Sequence, residues 1–177
     1  MPTRTPASDT PPARRKTAAP KPGATPTGPM DAVDLLMADH REAETVFEQF
    51  EKASSESRKK ELADKICMAL NVHMQIEEEI FYPEARAAGV DDDKLDEGIV
   101  EHDAAKKLIA EIETMHPGDE FYDAKVKVLS EEITHHVEEE EEAGGLFAQA
   151  RKNEDLDLNE MAERLKARSD ELMGEMQ

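Results

Sequence analysis

Residues 73–83, HMQIEEEIFYP, and residues 135–147, HHVEEEEEAGGLF, decide the fold. In the first, His73 is followed four residues on by Glu77; in the second, His136 is followed at the same interval by Glu140. On an α-helix that interval puts both side chains on one face, one turn apart. The apolar phase says which face. Leu70 and Ile66 precede His73 by three and seven residues, and Ile133 and Leu129 precede His136 at the same two offsets. Both pairs therefore interrupt the apolar stripe of a helix rather than its wet side. His135, preceded at those offsets by Glu132 and Val128, belongs to the flank.

The remaining helices follow from an internal repeat. DHREAETVFEQFE at 39–51 aligns with EHDAAKKLIAEIE at 101–113, matching His40 with His102, Ala43 with Ala105, Phe47 with Ile109 and Phe50 with Ile112. His40 lies 33 residues before His73 and His102 lies 34 before His136, so each half supplies one helix with a His and one with a His-Glu pair. Punctuation sets the boundaries. Helix one runs from an Asp31 N-cap to Ala53, and serines 54, 55 and 57 separate it from helix two, Arg58 to Arg86, with Pro83 kinking or closing its end. Asp91–Asp93 start helix three, which reaches Met115; HPGD at 116–119 is a turn. Helix four spans Glu120 to Arg151, interrupted or bent at Gly144 and Gly145, and a shorter amphipathic helix over 157–176 packs outside. Four long helices with short connections predict an all-α fold, an antiparallel up-down four-helix bundle over 31–151 with a fifth C-terminal helix, in one domain covering 30–177.

Composition narrows the partners. Only 4% of the 177 residues are aromatic and Trp is absent, so the core is built from Leu, Ile, Val, Met and Ala, which favours helices. A net charge of −20 repels nucleic acid and anionic membranes, whereas a cationic metal suits it. No stretch approaches the ~20 apolar residues needed to span a bilayer. The single cysteine, Cys67, excludes an intrachain disulfide, and the start of the chain lacks a signal-peptide apolar region; a cytoplasmic protein is expected. Residues 1–29 hold eight of the ten prolines with five Lys or Arg against one Asp, and read as a disordered basic tail, solvated, self-associating or bound to an acidic protein partner.

Four histidines, one per long helix, share the inward phase: His40, His73, His102 and His136. A lone inward histidine is ordinarily a hydrogen-bonded core residue. Four of them with two inward glutamates are costly to bury, at about 1–3 kcal/mol for each unsatisfied polar group, and a cation removes that cost. Four imidazoles and two carboxylates suit a pair of metals, with each half contributing mainly to one and with Glu77 and Glu140 able to bridge. The donor set favours iron, with manganese and zinc as alternatives. Glu44 and Glu78 are further candidates for the coordination shell, Tyr82 reads as a packed residue at a helix end or as a hydrogen-bonding group near the centre, His116 as a group near the end of helix three, and Cys67 as core.

The stretches DHREAE at 39, HMQIEEEIFYP at 73, EHDAAKKLIAEIE at 101 and HHVEEEEEAGGLF at 135 resemble the hemerythrin-like, or HHE cation-binding, family. The resemblance implies a non-haem di-iron centre, bridged by oxo and carboxylate groups, in a four-helix bundle, with His40, His73, Glu77, His102, His136 and Glu140 as ligands. It implies binding of, or response to, dioxygen, as a sensor or store, or an enzyme that consumes peroxide or reduces nitric oxide. Two positions depart from the oxygen carriers: Lys106 stands where they have a fifth histidine, and Glu140 where they have an aspartate. Fewer imidazoles shift the expectation from reversible carriage toward sensing or redox chemistry. A metal-free structural bundle is the third reading, and the matched His-Glu pairs argue against it.

Overall fold

The computed structural model describes residues 30–175; the tail at 1–29 and the expected last helical residue at 176 lie outside the described residues. The chain forms α1 (Ala32–Lys52), α2 (Glu56–Ile76), a π-helical turn (Glu77–Phe81), α3 (Tyr82–Ala87), α4 (Asp92–Glu113), α5 (Tyr122–Glu141), α6 (Leu146–Lys152) and α7 (Leu158–Glu175). The fold is all-α. Asp31 caps α1 through a capping box with Asp34, and Ser55 and Asp91 accept backbone N–H bonds at the starts of α2 and α4.

The apolar interior divides into two clusters. One holds Ala43, Phe47 and Phe50 of α1, Ile66 and Leu70 of α2, Ile109 and Ile112 of α4, and Val126 and Leu129 of α5. The other holds Val33 and Leu36 of α1, Ile76, Phe81 and Tyr82 beyond the end of α2, Leu95 of α4, and Leu146 and Phe147 of α6. Along α1 and α4 the chain passes from the second cluster to the first, and along α2 and α5 it returns. That alternation is the up-down-up-down order, and each long helix meets its inward histidine where it crosses from one cluster to the other. Each large aliphatic side chain so buried contributes about 1.5–3 kcal/mol. Helix α7 lies against α1 and α2 and buries Met161, Leu165 and Leu172 on the second cluster.

Some boundaries differ from the sequence expectation. Helix two starts earlier, at Glu56, and its helical run continues past Pro83 to Ala87. It widens at Glu77–Phe81, where the Tyr82 N–H donates to the Glu77 carbonyl five residues back. A proline inside a helix collides with the carbonyl four residues before it, and a wider turn relieves that clash. At Gly144 and Gly145 helix four is interrupted, one of the two expected outcomes, since α5 ends at Glu141 and α6 starts at Leu146. A Cβ on Gly145 would lie 2.3 Å from the Glu139 carbonyl oxygen and 2.4 Å from that of Glu140, so only glycine lets the chain fold back over the helix end.

The start of α5 is also later than expected, because Phe121 sits ahead of it at φ 69°. Its ring is 64% exposed, so little packing offsets the left-handed conformation, which costs roughly 1–2 kcal/mol in an L-residue. Phe121→Gly should therefore raise stability by about 1 kcal/mol in urea denaturation. An unchanged or lower midpoint would show that the ring supports the turn.

Candidate metal centre

Helices α1, α2, α4 and α5 deliver their histidines to the layer between the two apolar clusters. His40, His73, His102 and His136 are 3%, 6%, 1% and 4% exposed, and Glu77 and Glu140 are buried with them. The Nε2 atoms of His40 and His73 are 3.0 Å apart, and those of His102 and His136 are 3.2 Å apart. Two imidazole pairs thus face the same interior space. Glu77 Oε2 reaches between the pairs, 3.3 Å from His73 Nε2 and 3.4 Å from His102 Nε2. Glu140 Oε2 does the same from the other side, 3.6 Å from both His40 Nε2 and His136 Nε2.

What surrounds each ring settles what its inner nitrogen offers. The Nδ1 of His40 meets Glu141 Oε1 at 2.8 Å, that of His102 meets Glu78 Oε1 at 2.9 Å, and that of His136 meets Glu101 Oε2 at 2.7 Å. His73 Nδ1 lies 3.4 Å from Asp39 Oδ2, the longest of the four. A carboxylate accepts, so each Nδ1 carries a proton and each ring turns its Nε2 inward. Lone pairs aimed at one another across 3.0 Å repel unless a proton or a cation lies between them. Both oxygens of Glu77 and Oε2 of Glu140 are buried without a hydrogen-bond partner, despite the imidazole nitrogens nearby. Four convergent imidazoles and three orphaned carboxylate oxygens have the chemistry to fit a cation.

The outer carboxylates obey the internal repeat. Asp39 and Glu101, each immediately before the α1 or α4 histidine, serve His73 and His136. Glu141 and Glu78, each immediately after a buried glutamate, serve His40 and His102 of the opposite half. Asp39 and Glu101 were not among the residues expected from the sequence. Their signal was the acid preceding the histidine in both halves of the repeat. Glu78 points to His102 and to Lys106 Nζ, at 2.6 and 2.7 Å, which gives it a supporting position outside the inner layer. Lys106 therefore braces that carboxylate. Glu44 pairs with Arg41 on the surface, where Arg41 also binds Glu141. His135 is 64% exposed and joins Glu139 and Glu101 at the surface.

Tyr82, expected as a packed residue at a helix end or as a hydrogen-bonding group near the centre, is 2% exposed, its hydroxyl donates to Glu140 Oε1 at 2.9 Å, and its ring stacks on His102 at 5.5 Å between centroids. Gly98 on α4 makes room for it, since a Cβ there would lie 2.8 Å from the hydroxyl oxygen. The matching ring in the other half is Phe147, stacked on His40 at 5.6 Å. The centre is thus two-fold in its histidines and glutamates but carries a phenol on one side only. His116 is exposed in the turn after α4, and Cys67 is buried in the core with its thiol pushed up to about 12 by burial.

Charge in this layer is finely divided. Burial opposes ionisation of Glu77, yet His73 and His102 outweigh it and hold its carboxyl well below the usual range. Glu140 is pushed up to about 8 by burial and by the Glu77 charge. His73 is held well above, and His102 above, its ordinary value, since Glu77 and the outer carboxylates overcome desolvation. For all three raised groups the folded pKa exceeds the unfolded one. Their stabilisation is present below the unfolded value and is lost as pH rises through the folded value. Chelator-treated protein should accordingly lose stability in denaturant titrations as pH rises from about 4.5 to about 8, the window set by Glu140. Glu140→Gln should flatten that slope, and a stability that rises across the window would contradict the assignment.

The hemerythrin HHE cation binding domain model matches residues 31–144. Among solved structures, the chain resembles a hemerythrin HHE cation binding domain-containing protein from Mycobacterium kansasii, with 18% identity, a TM-score of 0.63, and coverage of 82% of this chain and 89% of that one. At that identity the likeness speaks for the fold. No curated protein matches the sequence. The family match spans the four histidines and both buried glutamates, and the chain belongs to the hemerythrin HHE cation-binding family.

Proposed function

We propose that the protein holds a non-haem di-iron centre and uses it to bind or respond to dioxygen. His40 and His73 would hold one ion, His102 and His136 the other, and Glu77 and Glu140 would span both. The observation that carries this reading is the pairing of inward Nε2 atoms with a carboxylate oxygen between the pairs on each side. The imidazole and carboxylate donors favour iron among the candidate metals. Two nitrogens about 2.1 Å from one ion lie about 3.0 Å apart at a right angle and about 3.4 Å apart at a tetrahedral angle. The His40–His73 separation of 3.0 Å matches the first and the His102–His136 separation of 3.2 Å lies midway, so the spacing accommodates six-coordinate iron or manganese.

Bound iron would supply redox capacity and open positions for a small ligand. The chain's own groups prepare those positions. The outer carboxylates fix the tautomer and orientation of all four rings, and the apolar clusters on either side limit water. Tyr82 holds Glu140 in place and offers the inner layer its only phenol among the described residues. Four histidines are a sparse imidazole set for two ions, and Lys106 is engaged by Glu78 outside the layer. That openness supports a second reading, an enzyme that consumes peroxide or reduces nitric oxide. Among the described residues, no helix is long and apolar enough to cross a membrane.

Protein reconstituted anaerobically should hold about two iron ions per chain, read by metal analysis, and should show a visible absorption change on exposure to air. His136→Ala should lose the metal and His135→Ala should keep it. At metal concentrations about a thousandfold above the dissociation constant, binding should stabilise the fold by about 4 kcal/mol, a gain that chelation reverses. Fewer than about one iron per chain would sink the di-iron reading. A reversible spectrum would favour binding, and gas evolution from peroxide beyond that of free iron would favour the enzyme.

A further inference from the structure

A cavity of about 290 Å³ opens between α1, α2 and α7 and ends on all four site histidines. It is several-fold larger than a diatomic ligand needs, given that a water molecule occupies ~30 Å³ of liquid, and roughly twice the ~150 Å³ that accommodates benzene. Its walls are apolar: Ala43, Leu70, Met74, Ile133 and Val137 line it and are buried. Half-buried Met68 and Met173 stand nearer the surface, with flexible side chains that adapt to a guest.

Charge at the mouth selects further. Asp39, Glu42, Lys65 and Asp170 line the cavity. Glu42 is paired with Lys65 at 2.7 Å and Asp170 with Lys166 at 2.8 Å, while Asp39 has no lysine or arginine partner among the described residues. An acidic excess at the rim, in a chain of net charge −20, disfavours an anionic guest. At the inner end each histidine already faces a carboxylate, Glu141, Asp39, Glu78 or Glu101, so the layer disfavours a further carboxylate, and a neutral O–H head, which can both donate and accept, suits it.

We propose that this cavity binds a neutral organic molecule with an apolar body of about six carbons and one O–H head, of the alcohol or hydroperoxide class, its head directed at the histidine layer. The apolar walls hold the body, and the head occupies the position where the proposed metal pair would meet a ligand. That last step rests on the di-iron reading above; the cavity and its selectivity do not. The size and polarity of the space make the protein a receptor for more than a diatomic gas.

The chain carries its own reporters, because three of its nine methionines line the cavity: Met68, Met74 and Met173. Full-length metal-free protein labelled with ¹³C at the methionine methyls would be titrated with benzyl alcohol and, separately, with benzoate, which has a similar shape and a negative charge. Benzyl alcohol should shift the Met68, Met74 and Met173 signals while leaving Met30, Met115 and Met161 in place, and should bind about tenfold more tightly than benzoate, or about 1.4 kcal/mol. Ala69→Phe, on the α2 wall of the cavity, should abolish the shifts; Ala69→Leu serves the same purpose if the larger ring prevents folding. Uniform shifts at all methionines, equal binding of benzoate, no saturable response, or unchanged shifts in a folded Ala69 variant would each overturn the proposal. Iron stoichiometry, measured on separate samples, tests the metal centre alone, so failure of one reading leaves the other intact. With iron loaded, the same alcohol should perturb the visible band only if the head reaches the metals.

Discussion

Four imidazole lone pairs aimed at a common interior, with two buried carboxylates between them, are the constraint on which the rest of the molecule depends. Nothing apolar can sit opposite such a set, so the core cannot be continuous. It divides instead into two clusters, and the polar layer lies at their boundary. The two clusters clamp opposite ends of α1, α2 and α4, and hold α5 at one end and α6 after it at the other, which fixes where along each helix its histidine falls. The outer carboxylates then fix how each ring turns. Rigid helices, apolar clamps and outer hydrogen bonds act in series on the same six side chains.

The pseudo-two-fold repeat explains most of that layer and fails where chemistry becomes asymmetric. Both halves supply a histidine preceded by an acid and a glutamate followed by one, and the outer bonds cross accordingly. Beyond the glutamates the halves diverge. The first continues through a π-helical turn into α3 and brings Tyr82 over His102; the second breaks, folds back at Gly145 and brings Phe147 over His40. Two aromatic rings occupy equivalent places, but only one can donate a proton to a buried carboxylate. The two ends of the centre are therefore chemically different in an otherwise duplicated frame.

Electrostatics gives the layer its cost and its use. Within a few ångströms of one another, one carboxyl is held far below its usual range and the other is raised to about 8. Such a division is what like charges forced into one dry space must adopt. A cation between them would let both ionise and both coordinate. The fold holds the groups in place by packing on either side, so the binding energy of an ion is added to a structure already arranged to receive it.

The sequence by itself determined the all-α class, the up-down order and the inward phase of His40, His73, His102 and His136, because these follow from periodicity and from an internal repeat. It also separated His136 from its neighbour His135, since one lies on the apolar stripe and the other on its flank. Asp39 and Glu101 were legible only in hindsight, as acids preceding a histidine in each half, in a chain with 42 acidic residues to choose from. The tertiary structure alone decided that Glu78 and Lys106 pair outside the layer, that Tyr82 enters it, and that a cavity under α7 leads to it. Each of those depends on the distance between side chains carried by different helices. Helical phase gives the direction in which a residue points, and only packing decides what it meets there.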